Sequence, residues 1–192
     1  MYLFNNPQVE QIITLALNED IGTGDITTLS TIPADKTALG RFVAKEDIIL
    51  CGIDLAAHIF ARVDPSIELK ANFKDGDAVK KGDVIATVSG NAQNVLTGER
   101  TALNFMQRLT GIATRTHASV AEVAGTNAKI TDTRKTTPGL RVLEKYAVRV
   151  GRTQGIRAWS CLPSGSHPAR RCRQPRRRHT APKWLCVRVN RF

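Results

Sequence analysis

Two adjacent cations, Arg134 and Lys135, followed by Thr136, Thr137 and Pro138, form the cluster of this sequence richest in chemistry. Thr137-Pro138 is a helix-start signature, a hydroxyl N-cap followed by proline at the first helical position. Leu140, Leu143, Ala147 and Val150 then recur at spacings of 3, 4 and 3 as one apolar stripe. A helix N-terminus carries unpaired N–H groups and partial positive charge, so a basic loop feeding it suits an anion. Arg offers a two-pronged fork to a carboxylate or phosphate and Lys a point charge, each charge-assisted bond contributing about 1.5–3 kcal/mol. Neighbours within a strand point to opposite faces, but beyond the strand end both can turn toward one ligand. Residues 129–133 read as that strand, and catalysis at the C-terminal ends of strands is the arrangement of α/β barrels. A solvated basic turn fits the same spacing equally well.

The elements that must position this loop are legible in outline. Asn6-Pro7 starts a helix whose apolar face is Val9, Ile12, Ile13 and Ala16 and which Gly22 ends. The glycines of GTGDITT, residues 22–28, follow a helix and complete no dinucleotide fingerprint, so they read as a turn. Residues 39–51 read as strand, 53–63 as a short apolar helix, and 67–89 as a hairpin run turned by Asp75-Gly76 and Gly82-Asp83. The Gly-Asp turns of residues 74–90 resemble those of biotinyl and lipoyl carriers, but no exposed hairpin tip presents a lysine for modification. Residues 94–124 read as one long helix, with Ala102, Phe105, Met106, Leu109, Ile112 and Ala113 on its stripe, Gly111 as a candidate kink and Gly125 as its stop. At 100° per residue Arg100 projects nearly opposite that stripe, away from the core, as a solvated arginine would.

Charge divides the chain in two. It carries 28 Lys plus Arg against 17 Asp plus Glu, a net of +11, yet residues 1–150 are neutral and the whole excess lies in residues 151–192, which contain no acidic residue. The first 150 residues have the mixed surface and apolar content of an ordinary globular domain. No apolar run approaches the ~18 residues of a membrane span and the N-terminus lacks a signal-peptide pattern, so a cytoplasmic location is expected. Cys51 is the single cysteine before the tail, which excludes a disulfide framework there.

Three stretches, ALNEDIGTGDITT (16–28), GERTALNFMQRLTGIAT (98–114) and ITDTRKTTPGLRVLEKYAVRVG (130–151), closely resemble the quinolinate phosphoribosyltransferases, carboxylating nicotinate-nucleotide pyrophosphorylases. The resemblance covers residues 1–151. It implies an α/β protein, with an α+β N-terminal sandwich domain over residues 1–110 and the start of an α/β barrel over 111–151. It implies a homodimer, transfer of phosphoribosyl from phosphoribosyl pyrophosphate to quinolinate, and nicotinate mononucleotide, pyrophosphate and CO2 as products, with Mg2+. By this resemblance Arg100, in the ERT motif, enters the neighbouring subunit's active site, and Arg134 and Lys135, in DTRKT, hold the anionic substrate.

After Gly151 the family continues with Asn-His-Arg and Lys-Asp-Asn-His motifs and then acidic residues for ribose and metal, none of which occurs in residues 152–192. The barrel is therefore expected to remain incomplete in this chain, with phosphoribosyl transfer lost. Three readings compete for the tail. Arg170, Arg171, Arg173 and Arg176 to Arg178 with Trp159 and Trp184 would suit non-enzymatic nucleic-acid binding. Cys161, His167, Cys172, His179 and Cys186 would be zinc ligands, but their gaps of 5, 4, 6 and 6 residues contain no C-x2-C pair. The abrupt change inside a family motif, with Arg, Pro, Ser, Cys and Trp rising together, favours a reading-frame shift. That gives a disordered tail, with no specific nucleic-acid partner and no membrane partner.

Overall fold

Asn6 caps the first helix, α1 (Pro7–Ile21), by accepting the Gln8 N–H at 2.9 Å, and Gly22 ends it at φ +53°. The computed structural model describes residues 6–22, 24–153 and the backbone of 185–189. Val9, Ile13 and Leu17 of α1 are buried against the body. The GTGDITT stretch holds a short helix, α2 (Ile26–Thr31), where the sequence suggests only a turn. The reason is Asp25, whose side chain accepts the Thr28 N–H at 3.1 Å and the Thr28 hydroxyl at 2.8 Å, a complete N-cap.

The predicted strand over 39–51 divides into β1 (Thr37–Ala44) and β2 (Ile48–Ile49), and α3 (Ile53–Val63) follows with the bounds the periodicity gives. β3 (Glu68–Ala71), β4 (Ala78–Val79) and β5 (Val84–Asn91) make up the hairpin run, and Gly76 and Gly82, at φ +95° and +96°, turn it. In the four-stranded sheet β5 lies between β3 and β1, antiparallel to both, with Arg41 opposite Thr87 and Leu69 opposite Val88. β2 and β4 pair separately. Phe42 of β1 meets Phe60 of α3 edge to face, ring centres 6.2 Å apart, at the centre of the core.

α4 (Ala92–Glu122) is the strut that the other helices share. Asn91 caps it by accepting the Gln93 and Asn94 N–H groups at 3.0 and 3.2 Å, and it runs unbroken through Gly111 and across residue 110. Val95, Ala102, Met106, Leu109 and Ala113 bury its inner face. Thr110 bonds both the N–H and the C=O of Cys51, at 3.1 and 3.0 Å, tying α4 to the entry of α3. α5 (Arg141–Thr153) packs along α4, so closely at Gly151 that an added Cβ would collide with the Ala113 carbonyl.

Three expectations need correction. Residues 129–133 form no strand: among the described residues no other strand forms a ladder with them, and a lone strand leaves its ladder groups unsatisfied. The last helix begins at Arg141 rather than Pro138: Pro138 and Gly139 make a turn, with Gly139 at φ +82° and the Leu140 N–H bonded to the Thr137 C=O at 3.0 Å. Five tail residues, expected to be disordered, form β6 (Leu185–Val189), antiparallel to β1 with Phe42 opposite Val187. The alternation Leu185, Val187, Val189 has the period a sheet edge accepts. Among the described residues no helix is long and apolar enough to cross a membrane.

Candidate functional site

The basic loop joins α4 to α5. Arg134 and Lys135 are exposed on it, and among the described residues no carboxylate pairs with either side chain. The loop is instead held by its backbone and by its neutral and acidic members. The Lys135 N–H donates to Thr133 Oγ1 at 3.1 Å, and Asp132 pairs with Lys145 of α5 at 3.1 Å. Arg141 donates to Thr136 Oγ1 at 3.3 Å and to the Arg134 carbonyl at 3.5 Å. Beside the loop lies a cavity of about 230 Å³ between α4 and α5, lined by Arg115, Thr116, Thr133, Lys135 and Thr136 among others. Arg115 is thus a cation at this place that sequence reasoning missed.

At the base of the loop Glu144 accepts the Thr137 N–H at 3.3 Å and the Arg108 Nε–H at 3.0 Å, and Arg108 also reaches the Thr137 hydroxyl. Burial pushes the Glu144 carboxyl up, but the bonds from Arg108 and Thr137 outweigh it and hold it below the ordinary carboxylate range. The sequence contained a sign of this pair. Glu144 stands four residues after Leu140 and three before Ala147, inside the apolar stripe, where a carboxylate needs a partner.

Arg100 lies elsewhere. Its Nε donates to Asp20 at 3.1 and 3.2 Å and its Nη2 to Asp25 at 3.3 Å, so the ERT and EDIGTGD stretches meet in a single ion cluster. The side chain is half-exposed, while that of Asp25 is buried. The two Thr28 bonds, the backbone one foremost, hold the Asp25 carboxyl below its ordinary range, with Arg100 adding to them. Arg100 therefore faces away from the α4 core but is paired rather than simply solvated. It precedes Arg108 by eight positions, about 12 Å along the helix axis, and makes no bond to the basic loop. The structure brings Arg134 and Lys135 together and leaves Arg100 apart from them within one chain.

Beneath the site, Asp75 caps α3 by accepting the Gly52 and Ile53 N–H groups at 2.8 and 3.0 Å, and it accepts the Tyr146 hydroxyl of α5 at 2.7 Å. Burial first, and Asp75 second, push the Tyr146 phenol well up, so it stays a donor. Among the described residues no three His, Cys, Asp or Glu side chains converge on a metal position. The Arg-rich segment 170–178 and the zinc candidates Cys161, His167, Cys172 and His179 lie outside the described residues, and Cys186 is described as backbone only.

Comparison with known proteins gives a consistent result. Residues 25–110 match the family model of the quinolinate phosphoribosyl transferase N-terminal domain and residues 112–158 that of its C-terminal domain. A mitochondrial quinolinate phosphoribosyltransferase [decarboxylating] of Nicotiana tabacum is 49% identical over 144 residues, 74% of this chain and 40% of the relative. A probable nicotinate-nucleotide pyrophosphorylase [carboxylating] of Synechocystis is 47% identical over 135 residues, 70% of this chain and 45% of the relative. The crystal structure of NadC from Streptococcus pyogenes superposes with a TM-score of 0.72 at 39% identity, covering 75% of this chain and 51% of that one. The chain thus spans about 40% of the length of the plant relatives it matches.

Proposed function

Because the chain belongs to the quinolinate phosphoribosyltransferase family, we propose that its basic loop binds quinolinate and that its residues carry part of a phosphoribosyl-transfer site. One observation supports this above the others: Arg134 and Lys135 stand exposed and, among the described residues, without carboxylate partners, while Asp132 of the loop and Arg141 and Glu144 of α5 are already engaged. An uncompensated cation pair binds a dianion, and quinolinate carries two carboxylates on adjacent ring positions.

In the proposed reaction the pyridine nitrogen bonds to the anomeric carbon of phosphoribosyl pyrophosphate as the bond to pyrophosphate breaks. The carboxylate next to the ring nitrogen then leaves as CO2, and the ring carbon retains the electron pair until it takes a proton, giving nicotinate mononucleotide. Arg134 and Lys135 would anchor the carboxylates and offset the charge that develops at the ring. Arg100 would serve the site of a second copy, since its own chain holds it away from the loop. A homodimer and a cytoplasmic location belong to the same proposal, as does magnesium.

The residues that would complete the site are not in this sequence, so we predict that these 192 residues bind quinolinate but do not turn it over. Incubation with quinolinate, phosphoribosyl pyrophosphate and Mg2+, followed by chromatography for nicotinate mononucleotide, tests this. Product at the rate of a full-length relative would overturn the incomplete-site reading, and absence of quinolinate binding would overturn the substrate assignment.

A further inference from the structure

Residues 132–135 of the loop are exposed and Thr136 and Thr137 are half-buried, and one face of α5 holds their path. Arg141, Glu144 and Lys145, at positions i, i+3 and i+4, respectively hold Arg134 and Thr136, Thr137, and Asp132. Of these three, Glu144 is the buried one, at 9% exposure, and the one braced from a second element, by Arg108 of α4. A carboxylate so buried is costly to leave without its hydrogen bonds, so the contacts that Glu144 makes with Arg108 and Thr137 depend on one another.

We propose that Arg108 and Glu144 are positioning residues that hold the basic loop in the shape that presents Arg134 and Lys135 to one dicarboxylate. They act through Thr137, three residues beyond Arg134 and two beyond Lys135, by removing conformations that the loop would otherwise have to give up on binding. This rests on the reading that the loop binds quinolinate. The bracing of Thr137 can be measured without that reading.

The test uses the full chain with Glu144→Ala, Glu144→Gln and Arg108→Ala. Amide hydrogen exchange is followed at Thr137 and at Leu109 in the α4 core, and quinolinate affinity by calorimetry. Glu144→Ala is expected to speed Thr137 exchange and weaken quinolinate binding, each about tenfold, the scale of one hydrogen bond to a charged group. Leu109 protection should be retained, which shows that the fold is intact. Arg108→Ala should act in the same direction, and Glu144→Gln, which keeps an acceptor oxygen, should recover part of both effects. Unchanged Thr137 exchange, or unchanged affinity in variants whose Thr137 has been released, overturns the proposal. A wild-type chain that binds no quinolinate overturns the substrate reading and the positioning role together. That result is distinct from failure of the brace alone, in which wild type and variants bind equally.

Discussion

Arg100 and the Arg134–Lys135 pair are the cations that the family's motifs single out, and the fold treats them in opposite ways. Arg100 rises from a rigid helix and is met by two carboxylates of its own chain, so an anionic ligand must compete with Asp20 and Asp25. Arg134 and Lys135 sit on an exposed loop whose acidic neighbours are occupied elsewhere, so a ligand meets them uncompensated. The two motif cations thus differ in electrostatic compensation: one is already partnered within its own chain and the other pair, among the described residues, is not. The two regions share one support, α4, through Arg100 at one end and Arg108 near its middle.

The largest effect should come from that support. Leu109 is 1% exposed in the core, next to Gly52 at the entry of α3, and Leu109→Ala is expected to cost about 2–5 kcal/mol in urea unfolding and to weaken both regions at once. Loss of stability with full retention of quinolinate binding would show that the loop does not depend on the strut. Asp25→Ala removes the cap of α2 and one arm of the Arg100 cluster, an effect of about 1 kcal/mol, and should leave quinolinate binding by the distant loop unchanged.

Acid sharpens the same contrast. The folded Asp25 carboxyl titrates below its ordinary value, so the unfolded chain binds the proton more readily. Its stabilising contribution is complete above that ordinary value and is lost as pH falls through the folded one. Urea midpoints measured from pH 7 down to pH 3 should therefore decline less steeply in Asp25→Ala than in wild type. Parallel declines would mean that the cluster does not favour the ionised form. Arg100→Ala, at a half-exposed pair, should change stability by less than about 1 kcal/mol.

Local chemistry made most of the N-terminal half legible. Asn6-Pro7 begins α1, the apolar spacing gives α3 its bounds, and Gly76 and Gly82 supply the positive φ angles of their turns. The misses share a cause. α2 escaped because six residues show no periodicity and Asp25 reads as part of a glycine turn, although Asp25-x-x-Thr28 is itself a cap pattern. Residues 129–133 have strand composition, but a strand exists only with a partner, which no local pattern supplies. The Asp20–Arg100 and Arg108–Glu144 pairs join positions 80 and 36 residues apart and became visible only when the helices were placed together.

The central claim is that Arg134 and Lys135 form an uncompensated cation pair for a dicarboxylate. Calorimetric titration of quinolinate into the wild-type chain and into the Arg134→Ala, Lys135→Ala double variant tests it most directly, with urea unfolding as the control. We expect saturable binding that the double variant loses, with stability changed by no more than about 0.5 kcal/mol because both side chains are exposed. Equal binding by the two proteins would contradict the claim.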